Sequence, residues 1–276
     1  MISAGVKRLY RAVVSQSSRD IIKFLIIMSL IFWLISAGSE KLHYNWQWYR
    51  VKQFLLTFDQ GELIPGPLLQ GLWVTLKITF FSLFLAMIFG LIAAIFRLSN
   101  SMVAGLVARV YVETIRNTPL LIQLLFNYFV LSPILGISPF MTAVLTLSLF
   151  EGAYASEIIR AGIQSIDKGQ WESADSSGLN KFQTYFYVII PQAYRFLVPP
   201  LTNQSVSLVK DSALVSTIAI YDLTMQGQVI ISNTFLTFEI WFTVAFIYLT
   251  VALTITFIVF LLEKHIQGGR PVSRSS

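Results

Sequence analysis

Long uncharged runs separated by short basic stretches set the pattern of this chain. Phe24 to Ala37 (FLIIMSLIFWLISA) carries no charge, and with Lys23 snorkelling to the interface Ile21–Ala37 is just long enough to span a bilayer. A second run, about Leu68 to Phe96, is interrupted in charge only by Lys77. From Asn117 to Phe150 no charged residue occurs. That exceeds the ~20 residues with which one helix crosses a core of ~30 Å. Pro133, Gly136 and Pro139 supply a break, so the run predicts a hairpin of two spans, about 118–134 and 139–158. A fifth span is predicted from near Tyr194 to about Ala219, and a sixth over Ile240–Leu262, between Glu239 and Glu263. The pattern as a whole predicts an all-α polytopic membrane protein.

Composition agrees. Of 276 residues 12% are charged, half the ~25% of an average soluble domain, and mean hydropathy is +0.68. There is no cysteine, which excludes disulfides, thiol chemistry and cysteine metal sites. The two histidines, His43 and His265, stand outside the apolar runs, so no Ser–His, Cys–His or His-rich metal arrangement exists at depth. That leaves no catalytic residues and no metal site to assign.

Charge orients the spans. Fifteen basic residues fall on one side, in the N-terminal tail, 97–116, 159–195 and the C-terminal tail, against three in 39–67. This positive-inside bias puts both termini in the cytoplasm, and it puts 160–193 there too. The net charge of +6 is explained by topology, without nucleic acid. The basic start, short apolar core and small residues Ser36 and Gly38 also fit a cleaved signal peptide. An uncleaved anchor is the reading adopted, and both place residue 39 outside.

The stretch from Glu151 to Gln192 is the most informative. It begins apolar, becomes charged and Gly-punctuated from Arg160, and turns apolar again after Pro191. Asp167–Lys168–Gly169 reads as a turn, and Gln170 to Ser177 as a short helix ending at Gly178, a C′ position. Ser173 and Ala174 are expected on accessible positions, and Trp171 with Tyr185, Phe186 and Tyr187 as apolar contacts. A second helical stretch, about Lys181–Ile190, leads to Pro191. Spacing alone is equally consistent with a protein-docking helix and with an amphipathic loop lying on lipid headgroups.

The order Glu172-Ser173-Ala174, three residues, Gly178, nine residues, then Val188-Ile189-Ile190-Pro191 resembles the EAA motif of bacterial ABC importer permeases. Ser173, Val188 and Ile190 are mild departures from it. Gly71–Leu76, Tyr111–Leu121, Ala153–Ile163 and Asn203–Asp211 are similar to the polar amino acid branch. The resemblance covers about residues 66–264. It implies a five-helix permease core (MetI-like) at 66–264, with a cytoplasmic coupling helix at about 168–191. Residues 1–65 would add a tail, one extra N-terminal transmembrane helix and an external loop, and 265–276 a cytoplasmic tail. It implies a subunit of an ATP-driven importer of polar amino acids in the bacterial inner membrane, working by alternating access. The expected partners are an ATPase dimer, a second permease chain (a copy or a paralogue) and a periplasmic amino-acid-binding protein. Gln170, Trp171, Glu172, Ser173, Ala174, Gly178 and Pro191 would engage the ATPase. No G-x-x-x-x-G-K-[ST] occurs, so ATP and Mg belong to that partner and this chain is a transport subunit, not an enzyme.

Ionisable groups at membrane depth are candidates for the substrate path. Counting 1.5 Å per residue, Glu151 lies ~18 Å along its span, Lys77 ~14 Å and Lys210–Asp211 ~24 Å, with Pro199–Pro200 a candidate break before them. In one reading Glu151 accepts a substrate ammonium or a basic side chain, while Lys210 addresses a carboxylate. In the other, Glu151 pairs with Lys77 and Lys210 with a carboxylate, to make burial tolerable. Asn203 and Gln204 suit interhelical bonding or substrate contact equally. Glu113 and Arg116 are expected to pair at i, i+3. A stand-alone carrier using Glu151 as a proton-coupled site is the alternative function.

Overall fold

The computed structural model describes residues 20–30, 33, 44–59 and 62–267. Two units are distinguished, 1–47 and 48–276. In the first, residues 20–30 are helical with exposed side chains. The predicted first span continues beyond them, Trp33 apart, outside the described residues.

The second unit opens with two short helical turns and an antiparallel ribbon, β1 (Leu56–Asp59) and β2 (Glu62–Pro65), in the register Leu56↔Pro65 to Asp59↔Glu62. Every described element after it is a helix. α1 (Pro67–Leu98) has Pro67 in its first turn, where the missing N–H costs nothing. α2 (Met102–Arg116) is capped by Ser101 and bent by 103° from α3 (Leu120–Leu135), across Asn117–Pro119. α4 (Pro139–Gln164) follows the predicted break, at which Gly136 takes φ +65°. Then come α5 (Lys168–Ser176), α6 (Lys181–Ile218), α7 (Leu223–Thr234) and α8 (Thr237–Gln267).

α1 and Thr237–Leu261 are each long and apolar enough to cross a membrane, and the pairs α2–α3 and α6–α7 reach that standard jointly. α4 is less apolar because Thr142, Thr146, Ser148, Glu151 and Ser156 are buried in protein instead of facing lipid. α1 and α4 form the most extensive helix pair. Apolar tails provide no hydrophobic force between helices, so close backbone approach through small residues holds them together. A Cβ at Gly90 would lie 2.7 Å from that of Ala155, and one at Gly152 only 3.0 Å from the Tyr111 hydroxyl.

Two prolines shape the helices without ending them. A proline lacks its N–H and crowds the carbonyl four residues back. Before Pro133 and before Pro191 the helix widens into π turns, Asn127–Leu131 and Thr184–Ile189, which contain those crowded positions. The stretch predicted as a separate 181–190 helix and the span predicted from Tyr194 are therefore one continuous helix. It also runs through Pro199–Pro200, expected as a possible break. At lipid depth an interrupted helix leaves backbone groups with no water to satisfy them, which favours continuity. α7 was not anticipated. Gly227 in its middle argues against a helix by propensity, yet a Cβ there would sit 3.0 Å from Val244 Cγ2, so the glycine lets α7 seat on α8.

Candidate functional site

α5 follows α4 after a three-residue turn and is built to keep its shape. The Asp167 side chain accepts from Gly169 N at 2.7 Å and starts the helix. Gly178 ends it at φ +75°, with Leu179 N donating to Ala174 O at 3.2 Å and Gly178 N to Asp175 O at 3.0 Å. Glu172 and Ser173 are exposed. Ala174 is not: at 3% exposure it faces its own chain, contrary to the expectation from the sequence. Trp171 and Tyr185 also turn inward, ring edge to ring face at 5.2 Å, and pack with Ala94, Ile159, Ile163 and Ile189. Phe186 and Tyr187 remain exposed, and Phe186 stacks on Phe182. A helix of only nine residues needs a fixed seat, and Trp171 and Ala174 provide it. Gln192 Nε2 donates to Gln170 Oε1 at 3.0 Å and to Val188 O at 2.9 Å, tying α5 to α6 just beyond Pro191.

A second constellation lies inside the helices. Glu151, 2% exposed, sits midway along α4. Gln204 Nε2 donates to its Oε2, the Asp211 carboxyl lies beside it, and Oε1 has no hydrogen-bond partner. Gln204 and Asp211 are seven residues apart, two helical turns, so both fall on the α6 face that meets α4, with buried Leu208 between them. Asn203 and Lys210, one position earlier in each case, are turned about 100° away and exposed. Lys77 is exposed on α1, with its ammonium over the Trp73 ring at 5.2 Å, and makes no ion pair with Glu151. Of the six ionisable or amide groups singled out in the sequence, the fold therefore joins Glu151, Gln204 and Asp211 and separates Lys77, Asn203 and Lys210. The assembled group is acidic.

Other polar contacts have no counterpart in the sequence reading. The Glu157 carboxylate receives Arg97 from the end of α1 and Arg160 at 2.8 Å, while Arg160 also donates to Gln164 Oε1 at 2.6 Å. The i, i+3 spacing of Glu157 and Arg160 is visible in the sequence, but the arrival of Arg97 is not. The expected Glu113–Arg116 pair does not form. Glu113 accepts from Asn117 Nδ2 at 3.2 Å, and the Arg116 guanidinium lies over the Tyr154 ring at 5.1 Å, a contact only α4 can offer. At the other end, buried Asp222 caps α7 through Met225 N at 2.9 Å and accepts from Tyr248 OH at 3.2 Å.

Known proteins resemble this chain along most of its length. The family described as binding-protein-dependent transport system inner membrane component matches residues 86–268. The glutamine transport system permease protein GlnP of Escherichia coli K12 is 39% identical over 217 residues, covering 77% of this chain and 99% of that one. The L-cystine transport system permease protein TcyB of Bacillus subtilis is 39% identical over 219 residues, covering 75% and 93%. Among solved structures, an amino acid ABC transporter crystallised with histidines superposes at TM-score 0.68 with 40% identity, over 72% of this chain and 94% of that chain. The MetNI methionine ABC transporter in an inward-facing conformation shares the fold at TM-score 0.65 and 20% identity, over 72% and 96%.

Proposed function

Because this chain belongs to the family of binding-protein-dependent transport system inner membrane components, we propose that it is the permease subunit of an ATP-driven importer of polar amino acids. The relatives named for glutamine and cystine support that substrate class. Its location is the bacterial inner membrane, with both termini in the cytoplasm. It works with an ATPase dimer that holds ATP and Mg, with a second permease chain, identical or paralogous, and with a periplasmic amino-acid-binding protein. Family membership leaves the stand-alone ion-coupled carrier without support.

The observation that carries the reading is the seating of α5: a short helix with Glu172 and Ser173 outward, anchored to α6 through Gln170–Gln192 and Trp171–Tyr185. α6 is continuous from those anchors to Gln204 and Asp211, ~28 Å further along between Tyr185 and Gln204 at 1.5 Å per residue. When the ATPase subunits draw together, they displace α5, and α6 transmits that displacement to the face it shares with Glu151 of α4. Each position of α6 is one state of a two-state equilibrium, biased by which contacts the ATPase makes. The paired carboxyls of Glu151 and Asp211 favour passage of the ammonium or side-chain cation of an amino acid.

The chain lacks cysteine, so Ser173→Cys and Ser177→Cys each introduce a unique thiol. Both should cross-link to the ATPase in membranes that are taking up amino acid. Absence of any captured ATPase while uptake runs overturns the coupling role. Competition among acidic, neutral-amide and basic amino acids in vesicles supplied with the binding protein then tests the substrate class.

A further inference from the structure

A cavity of about 770 Å³ lies between the cytoplasmic end of α1, the inner part of α4, α5 and the first turns of α6. Its volume is within the ~300–1,000 Å³ that small-molecule sites occupy. It is distinct from the Glu151 group, and it adjoins the Trp171–Tyr185 seat of α5. Ala94, Ile159 and Ile163 form the inner wall. Leu91 and Ile95 also line it and are 50% and 54% exposed on the outer side of α1, so the apolar wall continues onto the lipid-facing surface. An apolar chain can therefore enter sideways from the bilayer without crossing water. Lys181 sits at the polar end with Asp175, and no ion pair of Lys181 exists among the described residues. Thr184, also in the wall and 2% exposed, keeps a hydroxyl with no hydrogen-bond partner. Beside the opening, exposed Phe182 and Phe186 stack on each other at the level of the basic residues, as aromatic side chains do at a membrane–water boundary.

We propose that this cavity is a phospholipid site: an acyl chain from the cytoplasmic leaflet fills it and the phosphate meets Lys181. Apolar walls open to lipid and a cation at the rim match the order of acyl chain and phosphate in a glycerophospholipid. Because α5 forms one wall, the lipid is part of the seat on which the coupling helix rests.

The test uses the intact transporter in lipid nanodiscs. Trp171 lines the cavity, and its share of the fluorescence is obtained by difference from a Trp171→Phe complex. Phosphatidylglycerol brominated on its acyl chains should quench that share more than brominated phosphatidylcholine at equal mole fraction. Lys181→Gln should remove the headgroup preference, about fivefold for one lysine at the surface, while acyl quenching persists. Phosphatidylglycerol counted by mass spectrometry on the detergent-purified wild-type and Lys181→Gln complexes gives a second reading without altering the tryptophan. Trp171 emission indifferent to both brominated lipids means that protein fills the cavity or that nothing does, and overturns the proposal. A headgroup preference unchanged by Lys181→Gln overturns it as well.

Discussion

Gly178 separates conformational strain from crowding with unusual clarity. Its φ is +75°, and a Cβ built there meets nothing within 4 Å. Any cost of substitution within this chain is therefore backbone cost. For alanine that is ~1–2 kcal/mol, the penalty of an L-residue in the left-handed region. Between a seated and a displaced α5, this is a shift of about 5–30-fold. Asparagine tolerates that region and should cost less, while the β-branched valine should cost more. The assay is ATP-driven amino acid uptake in proteoliposomes, with ATP hydrolysis followed on the same preparation. Uptake per ATP should fall in the order Gly178, Gly178→Asn, Gly178→Ala, Gly178→Val, with helix content unchanged. The informative comparison is asparagine against alanine, because asparagine is larger and should do less harm. If the variants rank by side-chain volume, or if valine transports normally, left-handed strain is not what Gly178 relieves and the reasoning fails.

Other sites give sharp expectations. Glu151→Gln preserves shape and the Gln204 contact but removes the ionisable carboxyl that a cation would meet, so uptake of basic amino acids should fall more than that of neutral amides in a competition assay. Gln204→Leu deprives a buried carboxyl of its donor at a cost of ~1–3 kcal/mol, visible as a lower thermal midpoint of the purified complex. Gly90→Leu overpacks the α1–α4 contact: its Cβ alone falls 2.7 Å from the Ala155 Cβ, where carbons prefer ~3.5–4.0 Å. A loss of ~1–3 kcal/mol should follow, with Gly90→Ala milder. Glu157→Gln leaves Arg97 and Arg160 without their shared carboxylate, and thermal unfolding of the complex should show a loss of ~1–3 kcal/mol.

Local chemistry made some features legible in the sequence and hid others. Gly178 at the end of α5 and the break at Gly136–Pro139 follow from what glycine and proline do to the few residues around them. Pro191 and Pro199–Pro200 misled for the same reason. Their local effect is to interrupt, but a π turn absorbs the crowding of Pro191, and at lipid depth a helix deprived of water keeps its hydrogen bonds through Pro199–Pro200, so α6 continues. α7 was hidden because Gly227 lowers its propensity, and the benefit of that glycine is a contact with Val244 more than a dozen residues away.

The sequence by itself determined the class of molecule, the grouping of its basic segments between apolar runs and the position of the short helix that ends at Gly178, because hydrophobic run length, the lysine and arginine count and the glycine–proline offsets are properties of neighbouring residues. Only the tertiary structure decided which polar groups meet. Rotation about α6 brings Gln204 and Asp211 to Glu151 and turns Asn203 and Lys210 outward. The crossing of α1 with α4 carries Arg97 to Glu157 and leaves Lys77 over Trp73. A charge at depth is visible in one dimension, but its partner depends on the angles at which helices pack, and those are set by close contacts such as Gly90 on Ala155.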